Sequence, residues 1–280
     1  MRRLLIRPGA IGDLIVSLPT LESLRTEYLE VWAADQNLPL IRFANAVRSI
    51  GSTGLDMLEI DPPKLLVERL RGFDSIISWY GSNRAEFREA VERLGLPFQF
   101  FPALPPDASR TLAPHIDCSA TREDFAVIHP FASSPRKRWP LEKFREVARL
   151  LPMPVRWCAG PDEPLDGAVR IDNLYELGCW LARARVYIGN DSGISHLAAA
   201  VGTPTIVLFG PTDPAVWAPR GSVVLAAMES IEPADVVGQT IAFCGLLPRA
   251  LGPRNFMKKR QSHTVAQWSK RWRRGWHDSG

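Results

Sequence analysis

At 280 residues, with 46% hydrophobic and 23% charged residues, the chain has ordinary globular composition. That excludes a disordered, collagen-like or fibrous protein and leaves room for one large or two medium domains. The net charge of +4 is unevenly placed: residues 246–280 hold nine Lys or Arg against one acid, Asp278, so residues 1–245 are net acidic.

No run approaches the roughly 18 consecutive apolar residues of a membrane span. Met1-Arg2-Arg3 leads straight into a strand-like segment, so neither a signal peptide nor a transmembrane helix is expected. Cys118, Cys158, Cys179 and Cys244 show no C-x-x-C pair and no zinc-ligand spacing, which predicts reduced thiols in a cytoplasm and no metal centre.

In chain order, aliphatic runs at 4–7, 29–33, 75–79 and 98–101 read as strands, with helical stretches such as 84–94 between them. Residues 102–124 carry Pro102, Pro105, Pro106 and Pro114 and read as an interdomain linker. A second alternation follows. A strand at 125–129 precedes a helix with Leu141, Phe144, Val147 and Leu151 on one face, with Pro140 in its first turn. Strands at 155–158, 186–189 and 205–209 enclose helices at 174–184 and 194–201. Two such alternations predict two doubly wound α/β domains facing a central cleft, one over 1–110 and one over 111–245, with 246–280 as a tail.

Four segments carry candidate chemistry. At the end of the first strand, Arg7-Pro8-Gly9-Ala10-Ile11-Gly12-Asp13 makes a glycine-bearing turn into a helix, but G-x-x-G-D is not the dinucleotide fingerprint, which disfavours a nicotinamide enzyme. Asp13 is read either as a helix N-cap or as a carboxylate base in the cleft. Asn190-Asp191-Ser192-Gly193-Ile194-Ser195-His196 passes from a strand directly into a helix, whose free amides and dipole suit an anion such as diphosphate. The alternative has Asp191 or Ser192 as a simple cap and His196 packed beneath. In Ser133-Ser134-Pro135-Arg136-Lys137-Arg138-Trp139-Pro140, three cations precede a helix against the dipole preference, which either anion binding or plain solvation would explain. Phe209-Gly210-Pro211-Thr212-Asp213-Pro214 is strong turn chemistry and reads locally as a loop or hinge.

Together and in this order, R-P-G-A-I-G-D-L-I-V-S-L-P, S-S-P-x-K-x-W-P, D-S-G-I-S-H-L-A-A-A and F-G-P-T-D-P resemble the ADP-heptose:lipopolysaccharide heptosyltransferase family, glycosyltransferase family 9, over residues 1 to about 220. The resemblance implies a GT-B fold and inverting, metal-independent transfer of a sugar, heptose, from an ADP-linked donor to a lipid-linked saccharide, with no cofactor besides the donor substrate. Residue by residue it makes Asp13 the catalytic base and Lys137 a catalytic contact to the donor phosphates. Gly9 and Gly12 support the first loop. Ser133, Ser134, Asp191, Ser192, Gly193 and His196 contact the donor, and Asp162 or Glu163 holds the nucleotide ribose. The first half is shorter between Trp32 and Asp74 than in the family, and Phe131-Ala132-Ser133 lacks a glycine often found there. A binding protein of the same fold without turnover is the alternative reading.

In the tail, Trp268, Trp272 and Trp276 recur at i, i+4 and i+8 with Lys270, Arg271, Arg273 and Arg274 between them. That spacing suits an interfacial helix on an anionic membrane, and equally a helix docked on the body or a disordered basic tail. A peripheral position on the inner face of the cytoplasmic membrane follows from the first option. The acidic body shows no nucleic-acid motif, so nucleic acid is not an expected partner.

Overall fold

The structure, a computed structural model, describes residues 1–102 and 115–245. Most of the proline-rich stretch and the whole basic tail, with Trp268, Trp272 and Trp276, lie outside the described residues.

Leu4, Leu5 and Ile6 are fully buried, as expected of a parallel strand covered on both faces. They belong to β1 (Arg2–Arg7), which is followed by α1 (Ile11–Ser23), β2 (Tyr28–Ala33), β3 (Ala46–Ser49), α2 (Lys64–Arg71), β4 (Ser75–Ser78), α3 (Ala85–Arg93) and β5 (Phe98–Phe100). All pairings are parallel, in the order β3-β2-β1-β4-β5. The chain therefore reverses its direction of winding between β1 and β4, and the C-terminal ends of these strands flank the crevice where open α/β sheets take ligands.

The second half repeats the scheme with β6 (Ala126–His129), α4 (Leu141–Leu150), β7 (Val155–Trp157), α5 (Leu174–Ala182), β8 (Val186–Asn190), α6 (Gly193–Ala200), β9 (Thr205–Leu208), α7 (Pro214–Trp217), β10 (Val223–Leu225) and α8 (Pro233–Phe243). Its order is β10-β9-β8-β6-β7, again all parallel, so the corresponding crevice lies between β6 and β8. The two halves are joined through apolar packing. Leu14, Ile15 and Leu18 of α1 belong to the same buried cluster as Leu177 and Leu181 of α5 and Leu197 and Ala198 of α6.

The alternation and the strand and helix limits agree with the sequence pattern to within a residue or two. Two details differ. Pro140 caps α4 from outside instead of occupying its first turn, and Leu151 is the residue that ends it. Among the elements not expected are β3, β10, α8 and α2. β3 and β10 are edge strands of four and three residues, too short to show alternation. α8 begins at Pro233 and holds Gly238, and α2 spans only eight residues. Buried Glu30 on β2 ties two of these together: it accepts hydrogen bonds from Trp32 Nε1 at 2.7 Å, Arg69 of α2 at 2.7 Å and Arg48 of β3 at 3.1 Å. Burial alone would raise its pKa, but these donors outweigh that and hold the carboxyl below its usual range.

Candidate functional site

Four loops meet at the C-terminal ends of β1, β6, β8 and β9. The first turns sharply at Gly9, whose φ of 119° is a region side chains avoid. A Cβ there would also fall 2.8 Å from Asp13 Oδ2, so the glycine makes room for that carboxylate. Asp13 reaches back to accept from the Ala10 backbone N–H at 3.0 Å. It is thus the third residue of α1, with Ala10 as the cap residue, and not the N-cap itself: Ala10 carries no side-chain acceptor, so the acid one turn in satisfies the free amide. Buried Arg7 braces the turn, donating to Pro8 O at 2.9 Å, Ser17 Oγ at 2.8 Å and Asp13 O at 3.2 Å. Burial lowers its pKa against the opposing charge of Asp13.

The loop after β6 is pinned to the end of β8 by Asn190, which is fully buried. Its Nδ2 donates to Pro130 O at 2.8 Å and its Oδ1 accepts from Trp139 N at 3.1 Å. Between those anchors Pro135–Lys137 form one 3-10 turn. That turn delivers Lys137 Nζ to Asp191 Oδ2 at 2.8 Å. The same oxygen accepts from Thr212 Oγ1 at 2.6 Å, which brings the loop after β9 into the cluster. Asp191 is buried and Lys137 half-buried, so the pair is screened only in part.

Ser192 caps α6 by accepting from Ser195 N at 3.4 Å, and Ser195 Oγ donates to Asn190 O at 2.6 Å. The first turn of α6 lies directly against the first turn of α1. A Cβ on Gly193 would be 2.7 Å from Ile11 Cβ and 3.2 Å from Gly12 N, and one on Gly12 would be 3.2 Å from His196 Cδ2. Gly12, Gly193 and His196 therefore lie within the contact between the halves, and close backbone approach is the use made of both glycines. Two helix N-termini, each with partial positive charge, converge here beside Lys137.

Ser133 is exposed and Ser134 half-buried at the mouth of the second loop. Across β6 from Asp191, after β7, Glu163 and Asp162 part company. Asp162 is exposed. Glu163 Oε2 accepts from Gly160 N at 2.6 Å and lies 3.0 Å from Nε2 of buried His129. Burial would raise the Glu163 pKa, but hydrogen bonds from His129 and Gly160 bring it below the usual carboxylate range.

Sequence reasoning named Asp13, Lys137 and Asp191 but missed three residues that assemble the site: Asn190, Thr212 and His129. Asn190 and His129 each end a strand with a polar residue after an apolar run, which is the signal that was available. Thr212 sits in a segment that reads locally as a turn, so its bond to Asp191 had no local signature.

Residues 171–238 match the family model of glycosyltransferase family 9 (heptosyltransferase). Lipopolysaccharide heptosyltransferase 3 of Escherichia coli strain K12 is 30% identical over 132 residues, covering 40% of this chain and 38% of the relative. Lipopolysaccharide heptosyltransferase 1 of Salmonella typhimurium is 32% identical over 110 residues, 34% of this chain and 35% of that relative. The matched stretch thus spans well under half the length of these relatives. In fold, the chain is similar to the E. coli ADP-heptose lps heptosyltransferase II, with a TM-score of 0.63 at 19% identity over 87% of this chain and 98% of that one. E. coli heptosyltransferase WaaC with ADP gives 0.57 at 17% identity, over 86% and 97%. Residues 171–238 thus match glycosyltransferase family 9, the heptosyltransferases, in sequence, and the two parallel α/β sheets share the fold of the solved heptosyltransferases.

Proposed function

We propose that the chain is a glycosyltransferase that moves heptose from ADP-heptose to a lipopolysaccharide-type saccharide acceptor with inversion at the anomeric carbon. The observation that carries this reading is the joining of Lys137, Asp191 and Thr212 at the ends of three strands, directly beside the contact that brings the Asp13 turn against α6. That arrangement supports a diphosphate at Lys137 and the first turn of α6, with Glu163 near the ribose and a base across from the leaving group. The solved heptosyltransferases of similar fold, one with ADP and one an ADP-heptose enzyme, agree in donor chemistry.

In this mechanism an acceptor hydroxyl attacks the anomeric carbon from the face opposite the diphosphate, a C–O bond forms as the sugar–phosphate bond breaks, and Asp13 takes the hydroxyl proton. A positioned base of this kind contributes on the order of 10²- to 10⁴-fold. Negative charge gathering on the ADP is met by Lys137, Ser133, Ser134 and the amides around Ser192, without a metal ion or a further cofactor. A fixed donor in that position is worth about 3–4 kcal/mol in the barrier.

The reading places the protein in the cytoplasm, on the inner face of the cytoplasmic membrane where a lipid-linked acceptor is presented. No helix of the described residues is long and apolar enough to cross a membrane. The test is transfer from ADP-heptose to lipopolysaccharide of a heptose-deficient strain, followed by ADP release and by the anomeric configuration of the product. Turnover that persists in EDTA and yields the inverted anomer supports the proposal; ADP binding with no turnover on any saccharide favours a binding protein instead.

A further inference from the structure

Three neighbouring strands of the first sheet, β1, β4 and β5, end beside one another. β4 runs into Trp79, whose N–H donates to Ile6 O at 3.0 Å, and β5 runs into Phe101, whose N–H donates to Ser78 O at 2.9 Å. These bonds extend the sheet by one residue on each strand. They bring the two rings together with centroids 5.7 Å apart and planes tilted by only 32°. Trp79 packs one side on the apolar core that joins the halves. Phe101 is 44% exposed, although it is fixed by a backbone hydrogen bond at the ligand-facing end of the sheet.

One buried side chain links this pair to the proposed base. The Arg7 guanidinium is 5.8 Å from the centre of the Trp79 ring, and the same group donates to the Asp13 carbonyl at 3.2 Å. Arg7 is 5% exposed and carries three hydrogen bonds, so it is a rigid spacer between the aromatic pair and the Asp13 turn. A sugar ring offers an apolar C–H face and hydroxyls at its edge. Two adjoining aromatic rings inclined by 32° offer apolar faces with slightly negative potential. Arg7, in contact with both, sets the aromatic pair beside the Asp13 turn.

We propose that Trp79 and Phe101 form an aromatic shelf that stacks against a sugar ring of the acceptor and so presents its hydroxyl to Asp13. The proposal rests on the glycosyltransferase reading for the role of the bound sugar, but its binding step is measurable without turnover. The experiment is calorimetric titration of the full chain with the oligosaccharide released by deacylating lipopolysaccharide, and separately with ADP, for the natural protein and for Phe101→Ala, Phe101→Trp and Trp79→Ala, each checked by thermal melting. The expected result is a loss of about tenfold in oligosaccharide affinity in Phe101→Ala, retention in Phe101→Trp, and unchanged ADP affinity in both. A wild-type protein that does not bind the oligosaccharide, or a Phe101→Ala variant that binds it equally well, would overturn the shelf. The latter result with a lowered melting temperature would identify Phe101 as a packing residue. Failure of ADP to bind the natural protein would instead contradict the donor assignment and leave the saccharide result standing.

Discussion

Lys137 Nζ donates to Asp191 Oδ2 at 2.8 Å, and this single contact ties the cationic loop after β6 to the acidic end of β8. The acid aims the lysine: without it, a half-buried ammonium on a flexible stem would sample many positions. Lys137→Ala leaves the Asp191 carboxylate with Thr212 Oγ1 as its remaining donor. It should cost about 1.5–3 kcal/mol of stability and raise the transfer barrier by about 3–4 kcal/mol. Asp191→Asn should keep more of the fold than of the activity. A double-mutant cycle on the melting free energies should return a coupling of about 0.5–3 kcal/mol.

The contact between the halves gives a contrast within the glycines. Gly193→Ala places a methyl 2.7 Å from Ile11 Cβ and should destabilise by about 1–3 kcal/mol as the first turns of α1 and α6 are forced apart. Gly238→Ala in α8 meets nothing within 4 Å and should stabilise by up to about 1 kcal/mol through helix propensity. Denaturant midpoints of the two variants check both signs.

Acid should expose the Glu163–His129 pair. Because hydrogen bonds hold the folded Glu163 carboxyl below its unfolded value of 4.5, its contribution is fully present above that pH and is lost as pH falls through the lower folded pKa. Glu163→Gln should therefore show a shallower loss of melting temperature between neutral pH and pH values below about 4.5 than the natural protein. Equal slopes would remove this pair from the account of acid sensitivity.

Much of this architecture is legible because the inner strands are continuous apolar runs and the helices between them carry apolar residues at helical spacing. β3 and β10 were not legible because edge strands of four and three residues leave no period to read. The site was legible in part. Asp13, Lys137 and Asp191 stand in segments whose order resembles a family, whereas Asn190, Thr212 and His129 act only through partners distant in sequence, 51 residues from Trp139 to Asn190, 21 from Asp191 to Thr212 and 34 from His129 to Glu163. Of the two readings of Asp13, the N-cap is replaced by a position one turn in, with Ala10 as the cap residue. The Asp13 carboxylate accepts from Ala10 N while sitting at the third helical position.

The basic, tryptophan-bearing segment 246–280 lies outside the described residues, and its sequence supports contact with an anionic surface. The full chain should sediment with phosphatidylglycerol vesicles at low salt and release at high salt, while a chain ending at Gly245 should stay in solution. Equal sedimentation of both would remove the membrane role of the tail.

The central claim, a donor diphosphate held by Lys137 and the first turn of α6 opposite Asp13, is tested most directly by calorimetric titration of ADP into the natural protein, Lys137→Ala and Asp13→Ala. The account predicts saturable ADP binding, a loss of at least about tenfold in Lys137→Ala, and near-normal affinity in Asp13→Ala, because Asp13 belongs to the acceptor side. No binding to the natural protein, or equal binding by Lys137→Ala with its fold intact, would contradict it.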